Sequence, residues 1–275
     1  MSMAEPVSRW LERVRAQRPL VHNMTNIVVT NVVANALLAV GASPVMAYAP
    51  EEAADMARIA KALALNIGTL DERVVSAMLI AGHAANAAGV PVIFDPVGVG
   101  ATAYRNETAT RLIESVNLTV LRGNQGEIGF LLGAGGEVQG VDSLGSGEHL
   151  PRVMKEWAAA RGCVAVATGP VDYVTDGTRV FTLHNGHALL SFITGSGCQA
   201  TGLIGAFCGA AGALATVETY ADACVAALTC LNVAGELAAG TASGPGGFQA
   251  ALFDELYRLD GVTVDRLARV DFLEV

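Results

Sequence analysis

The chain has 275 residues, is 52% hydrophobic and 16% charged, and carries a net charge of −9. That length and apolar content suit one α/β domain over residues 1–275, while the acidic balance and the absence of a basic run exclude a nucleic-acid surface or an anionic membrane as partner. The cysteines Cys163, Cys198, Cys208, Cys224 and Cys230 are odd in number and form no C-x-x-C pair, which excludes a disulfide framework and a zinc cluster; Glu5, Arg9, Glu12 and Arg13 exclude a signal peptide, so a reducing, cytoplasmic location is expected.

Along the chain, the segment Val21-His22-Asn23-Met24-Thr25-Asn26 leads into a helix-period stretch over 28–40. Short apolar runs ending in polar residues then predict strands over 43–47, 62–66, 90–95, 118–124 and 163–168. Helical periods lie between them over 51–61, 71–88, 105–116 and 145–160. This alternation predicts βαβ units, a mainly parallel sheet with helices on both faces, and ligands gathered at the carboxyl ends of the strands. Residues 172–182 flank Asp176-Gly177 and predict a hairpin with a type I′ turn that extends the sheet antiparallel at one edge. Helices over about 197–213, 217–239 and 248–259 complete the reading. Residues 188–217 carry no charge, but this Ala- and Gly-rich run lacks the density of Leu, Ile and Phe that a membrane span needs, and a buried helix is expected.

Polar residues collect at the predicted strand ends. Asp95, followed by Pro96-Val97-Gly98-Val99-Gly100, suits a magnesium-phosphate site acting through water, or alternatively a plain Asx turn. Asn124 and Glu127 fit a helix capping box, and a capping carboxylate can also hold a metal-bound water. Thr168-Gly169 ends a further strand at the same edge. The uncharged groups of residues 22–26 and of Asn66-Ile67-Gly68-Thr69, beside Met24 and Met46, suit a small neutral heterocycle. His184 and His187 flank Asn185-Gly186 with no third ligand nearby, so a surface turn is the better reading than a metal pair. The two lysines, Lys61 and Lys155, sit in amphipathic helical patterns. Phosphate charge must then be met by backbone N–H groups, by one of the fifteen arginines or by a metal.

The most informative segment is Thr194-Gly195-Ser196-Gly197-Cys198-Gln199-Ala200-Thr201. Its glycines allow close backbone approach, and the helix that follows directs its positive end at the same place, which makes an anion hole with Cys198 on the first turn. The helix terminus is expected to lower the thiol pKa. The same residues fit G-x-G-x-x-A, the dinucleotide pattern of an NAD-dependent oxidoreductase, although they come late in the chain and lack the acid that should follow.

In order and over nearly the whole chain, residues 22–26, 66–69, 95–100, 122–127, 167–169 and 194–198 resemble the hydroxyethylthiazole kinase family of the ribokinase-like superfamily. The resemblance implies a ribokinase-like three-layer sandwich. It further implies ATP- and magnesium-dependent phosphorylation of the hydroxyl of 4-methyl-5-(2-hydroxyethyl)thiazole, in thiamine biosynthesis or salvage. Carried over by position, Arg122 and Thr168, with Asn124 beside them, contact ATP. Met46 and Gly195, with Asn26 and Gly68, contact the thiazole alcohol, and Asp95 and Glu127 serve magnesium and its waters. Gly195, Ser196, Gly197 and Cys198 form the catalytic loop, with Cys198 standing where much of the superfamily has an aspartate. A homotrimer with its pocket between subunits is implied as well. A pyrimidine or pyridoxal kinase, an ADP-dependent nicotinamide-hydrate dehydratase and a non-catalytic binding protein are the competing readings.

Overall fold

The computed structural model describes residues 3–134 and 149–275. In chain order the elements are α1 (Val7–Gln17), β1 (Leu20–Met24), α2 (Thr30–Val40), β2 (Ser43–Val45), α3 (Pro50–Ile59), β3 (Ala62–Asn66), α4 (Glu72–Ala88), β4 (Val92–Asp95), α5 (Ala103–Ser115), β5 (Val120–Asn124), α6 (Gln125–Leu131) and α7 (His149–Arg161). There follow β6 (Val164–Thr168), β7 (Asp172–Thr175), β8 (Val180–Leu183), a 3₁₀ turn (Ala188–Phe192), α8 (Ser196–Gly209), α9 (Val217–Ala239), α10 (Pro245–Arg258), α11 (Gly261–Leu267) and β9 (Val270–Phe272). Positions 145–148 of the helix expected over 145–160 lie outside the described residues.

The strands form one sheet in the order β2-β1-β3-β4-β5-β6-β7-β8-β9. The first six strands of the chain are parallel, and β7, β8 and β9 are antiparallel to their neighbours. The chain leaves β1 toward β2 and returns across it to β3, so the strand order reverses at β1/β3 and opens a crevice at the carboxyl ends there.

Side chains alternate along each strand and divide into two cores. Val21, Ala62, Ile93, Val164 and Val166 face α1, α2, α8, α9 and α10; Leu63, Leu65, Phe94, Leu121 and Ala165 face α3, α4, α5 and α7. This is the three-layer arrangement expected of the fold class. A fully buried side chain such as Phe94 or Phe207 contributes about 1.5–3 kcal/mol to holding the layers together. The longest helix, α9, is apolar enough to cross a membrane by length and composition, but 89% of its apolar window is buried inside the protein. The uncharged run containing α8 is likewise a core helix, as expected.

Two local expectations, Met24 at a ligand surface and the type I′ turn, need correction. Residues 20–24 form a strand, β1, that the sequence pattern does not mark, and the segment leads into α2 as expected. Its polar His22 and Asn23 are buried, and His22 Nε2 lies 2.9 Å from the Ala47 carbonyl, so polar letters disguise an interior position. Met24 packs into the second core and takes no part in a ligand surface. The Asp176-Gly177 turn is not type I′, which needs positive φ at both central residues. Only Gly177 has it, and the Asp176 carboxylate instead accepts from the Thr178 and Arg179 amides at 2.8 and 2.7 Å. The hairpin β7–β8 extends the sheet antiparallel toward one edge, as expected, and β9 pairs outside it.

Candidate active site at the strand ends

Helix α8 brings its N-terminus to this crevice. Gly195 precedes it with φ +84°, and a Cβ there would lie 2.6 Å from Val29 Cγ1, so glycine is required on two counts. The first helical bond runs from Gln199 N to the Gly195 carbonyl. The N–H groups of Ser196, Gly197 and Cys198 therefore precede the ladder and remain available to an anion.

Beneath this terminus lies a buried polar network. Asn26 Nδ2 donates to Asn66 Oδ1 at 3.1 Å and lies 3.4 Å from Cys198 Sγ. Asn66 Nδ2 donates to Asp95 Oδ2 at 2.8 Å and lies 3.3 Å from Cys198 Sγ. Thr201 Oγ1 donates to the same Asp95 oxygen at 2.7 Å, and Arg122 NH1 stands 3.4 Å from it. The other arm of Arg122 donates to Thr168 Oγ1 at 2.6 Å, and its guanidinium passes so close beneath Gly197 that a Cβ there would be 3.0 Å from it. The adjoining cap is a reciprocal capping box: Asn124 Oδ1 accepts from Glu127 N, and Glu127 Oε2 accepts from Asn124 N, both at 2.8 Å. Glu127 Oε1 also accepts from Gly98 N at 2.7 Å, which pins the glycine turn after Asp95.

Burial dominates the electrostatics. Asp95 is fully enclosed, and desolvation pushes its pKa up to about 6 against the opposing pull of Arg122. Cys198 is pushed up to about 11 by desolvation and by the Asp95 charge. This corrects the expectation of a lowered thiol pKa. The helix terminus favours a thiolate, but a buried carboxylate neighbour and loss of water outweigh it.

The network opens onto a cleft of about 820 Å³ lined by Asp95, Arg122, Asn124, Glu127, Thr168 and Gly195 to Cys198. Its far wall is built by Asn185, Gly186 and His187 after β8 and by Leu228, Leu231 and Asn232 of α9. Among the described residues, Arg122 is the one arginine or lysine on the cleft, so it and the free N–H groups of the α8 terminus are the groups there that could meet an anion. Lys155 instead donates to the Val275 carbonyl. Asn26 and Gly68 sit on the other side of Cys198, where a Cβ on Gly68 would fall 2.6 Å from Asn26 Nδ2. Met46 follows β2, half-buried and packed against the first core, and is the expected site residue that the polar network does not reach.

Sequence reasoning missed Thr201, Asp172, Asn232 and Asn185. Asn232 Nδ2 donates to Asp172 Oδ2 at 2.7 Å, and burial raises the pKa of that acid. Thr201 carried a usable signal, since it stands three residues after Cys198 and so shares its helix face. His187 is exposed, as a turn residue should be, yet it lines the cleft wall.

An αβα sandwich with a helix terminus set over a buried aspartate at the end of an open cleft is the architecture of the ribokinase-like class of small-molecule kinases. A ribokinase-like superfamily protein from Enterococcus faecalis shares this fold, with a TM-score of 0.58 at 15% identity over 95% of this chain and 92% of that one. The hydroxyethylthiazole kinase family model matches residues 11–261. The hydroxyethylthiazole kinase of Moorella thermoacetica is 48% identical over 99% of this chain and 100% of that protein. The structure of the hydroxyethylthiazole kinase protein from Pyrococcus horikoshii superposes with a TM-score of 0.86 at 41% identity, covering 98% of this chain and 99% of that one. The chain belongs to the hydroxyethylthiazole kinase family, and its reading as a phosphotransferase with an alcohol acceptor stands.

Proposed function

We propose that this enzyme transfers the γ-phosphoryl group of ATP to the primary hydroxyl of 4-methyl-5-(2-hydroxyethyl)thiazole, with magnesium, in the cytoplasm. The observation that carries the reading is the convergence of the α8 terminus, Arg122, Asp95 and Cys198 at one end of the cleft. ATP extends from that end along the wall formed by α9 and the loop after β8. The alcohol approaches from the side of Asn26, Gly68 and Met46, and Gly195 stands between the two. Five unpaired, buried cysteines accord with a reducing compartment.

Asp95 Oδ1 is buried without a hydrogen-bond partner, and Asp95 and Glu127 both line the cleft, so the donor set suits a hard divalent cation. No group of three His, Cys, Asp or Glu able to hold a metal occurs among the described residues, so Asp95 and Glu127 would hold the cation together with non-protein oxygens. When bound, magnesium neutralises phosphate charge and helps to orient the transferred group.

The protein's own part is positioning and charge stabilisation. The free N–H groups of Ser196 and Gly197, with the Arg122 guanidinium, meet charge developing on the phosphoryl oxygens. Cys198, a neutral thiol at physiological pH fixed by two amides, orients the alcohol, whose proton passes late to an oxygen of the transferred phosphoryl group, since phosphoryl transfer has limited need of a strong base.

The exposed Ile27 and Val28, 74% and 70% accessible at the rim beside Asn26, leave the alcohol side open in one chain. A homotrimer in which a neighbouring subunit closes it accounts for that exposure. Release of ADP from ATP and magnesium, compared across the thiazole alcohol, a hydroxymethylpyrimidine and pyridoxal, tests the reading. Turnover restricted to the thiazole supports it, and turnover with pyridoxal alone overturns it.

A further inference from the structure

Arg105 opens α5, outside the cleft, where its own amide donates to the Thr102 cap. Its guanidinium reaches back and donates to three backbone carbonyls. NH1 is 2.7 Å from both the Ile67 and Val97 carbonyl oxygens, and NH2 is 3.0 Å from that of Gly68. Ile67 and Gly68 begin the loop after β3, immediately beyond Asn66, which holds Asp95 and Cys198. Val97 belongs to the loop after β4, two residues beyond Asp95.

The two loops are otherwise joined sparsely. One backbone bond, Ile67 N to the Asp95 carbonyl at 3.3 Å, crosses between them. The β4 loop is held on its far side by Glu127 and by Asn106, which accepts from Gly100 N at 2.7 Å. Gly98, with φ +74°, leaves room for the Arg105 chain, since a Cβ there would lie 3.3 Å from Arg105 Cδ. A planar cation with several donors can bridge carbonyls on two backbones at once. A lysine ammonium cannot span the same fork.

We infer that Arg105 is a positioning residue for the phosphoryl transfer proposed above, fixing the alcohol-side loop after β3 against the phosphate-side loop after β4. The inference rests on that reading of the site. Because the far wall of the nucleotide cleft is built from α9 and the loop after β8, loss of Arg105 falls more heavily on the alcohol half-reaction than on ATP.

The test uses the full-length chain as wild type, Arg105→Ala and Arg105→Lys. Each substrate is varied at saturation of the other, and hydrogen exchange is followed in peptides covering 66–70 and 96–101. For Arg105→Ala, kcat/KM for the alcohol is expected to fall about 10- to 100-fold with KM for ATP little changed, as for a small misplacement of a reacting group. Both peptides should lose protection together, and added guanidinium, but not ammonium at equal ionic strength, should restore part of the rate. Arg105→Lys, the variant to rely on if the alanine protein does not fold, should show the same pattern more weakly.

A folded variant with unchanged kcat/KM for the alcohol, an equal loss toward both substrates, or loosening of one loop alone would overturn the inference. If wild type does not phosphorylate the thiazole alcohol, the kinase reading fails instead, and the exchange data still decide whether Arg105 clasps the two loops.

Discussion

The Asn66 side chain donates to Asp95 Oδ2 at 2.8 Å and lies 3.3 Å from Cys198 Sγ, so one amide at the end of β3 ties the buried acid to the buried thiol. Removing it strands a desolvated carboxylate. Asn66→Ala is expected to cost about 1–3 kcal/mol of stability and to lower turnover. Asn66→Asp should be worse at neutral pH, because it sets a second carboxylate against Asp95, and should recover stability on acidification. Urea unfolding at two pH values, with initial rates, checks both; an aspartate variant equal to wild type at pH 8 would show that the network does not matter.

The raised Asp95 pKa carries a definite sign. The folded protein holds this proton to about pH 6, and the unfolded chain to about 3.9. The stability so conferred is fully present below the unfolded value and is lost as pH rises through about 6, a difference of about 3 kcal/mol. In chelator-treated protein, the stability of Asp95→Asn relative to wild type should therefore increase between pH 4 and 7, while its activity is lost. A relative stability that is flat across that range would mean that Asp95 titrates like a surface acid.

Cys198 should behave as a sheltered thiol. With its pKa near 11, alkylation by iodoacetamide at pH 7 is expected to be slow, to accelerate as pH rises and to be slowed by bound substrate. Peptide mapping distinguishes it from the other four cysteines, which are at most 2% exposed. Cys198→Ala should keep a measurable rate, because charge stabilisation rather than strong base catalysis carries the reaction. Rapid modification at pH 6 would contradict the burial argument, and complete loss of turnover in a folded, ATP-binding alanine variant would assign the thiol a larger part.

Gly195→Ala meets both a left-handed φ and Val29. A stability loss of about 1–3 kcal/mol is expected, with a disproportionate loss of turnover as the α8 terminus shifts. Circular dichroism melts beside kinetics decide it, since a variant that loses stability but keeps full kcat would separate the loop from catalysis.

Much of this architecture was legible because the apolar runs of β3 to β6 end in chemically distinctive letters. Asn66, Asp95, Asn124 and Thr168 mark the carboxyl edge, and the helix periods between them force the parallel order. What escaped did so for physical reasons. In β1, buried His22 is matched by the Ala47 carbonyl, a partner 25 residues away that local pattern does not show. The strand β9 is three half-exposed residues that pair only because β8 is already in place. The pKa of Cys198 was not legible because burial and the Asp95 carboxylate, distant in sequence and adjacent in space, together raise it. Arg105 looked like an ordinary helix residue for the same reason.

Helix α8 lies on the sheet along bare backbone. A Cβ on Gly202 would meet Asn23 Nδ2 at 3.1 Å, one on Gly205 would meet Val21 Cγ1 at 3.1 Å, and one on Gly209 would meet the Lys61 carbonyl at 3.0 Å. The helix is thus a strut braced along its whole length, and its N-terminal tip is aimed from the opposite edge of the sheet. A single methyl added at Gly209, about three turns from Cys198, would tilt the strut and swing the tip.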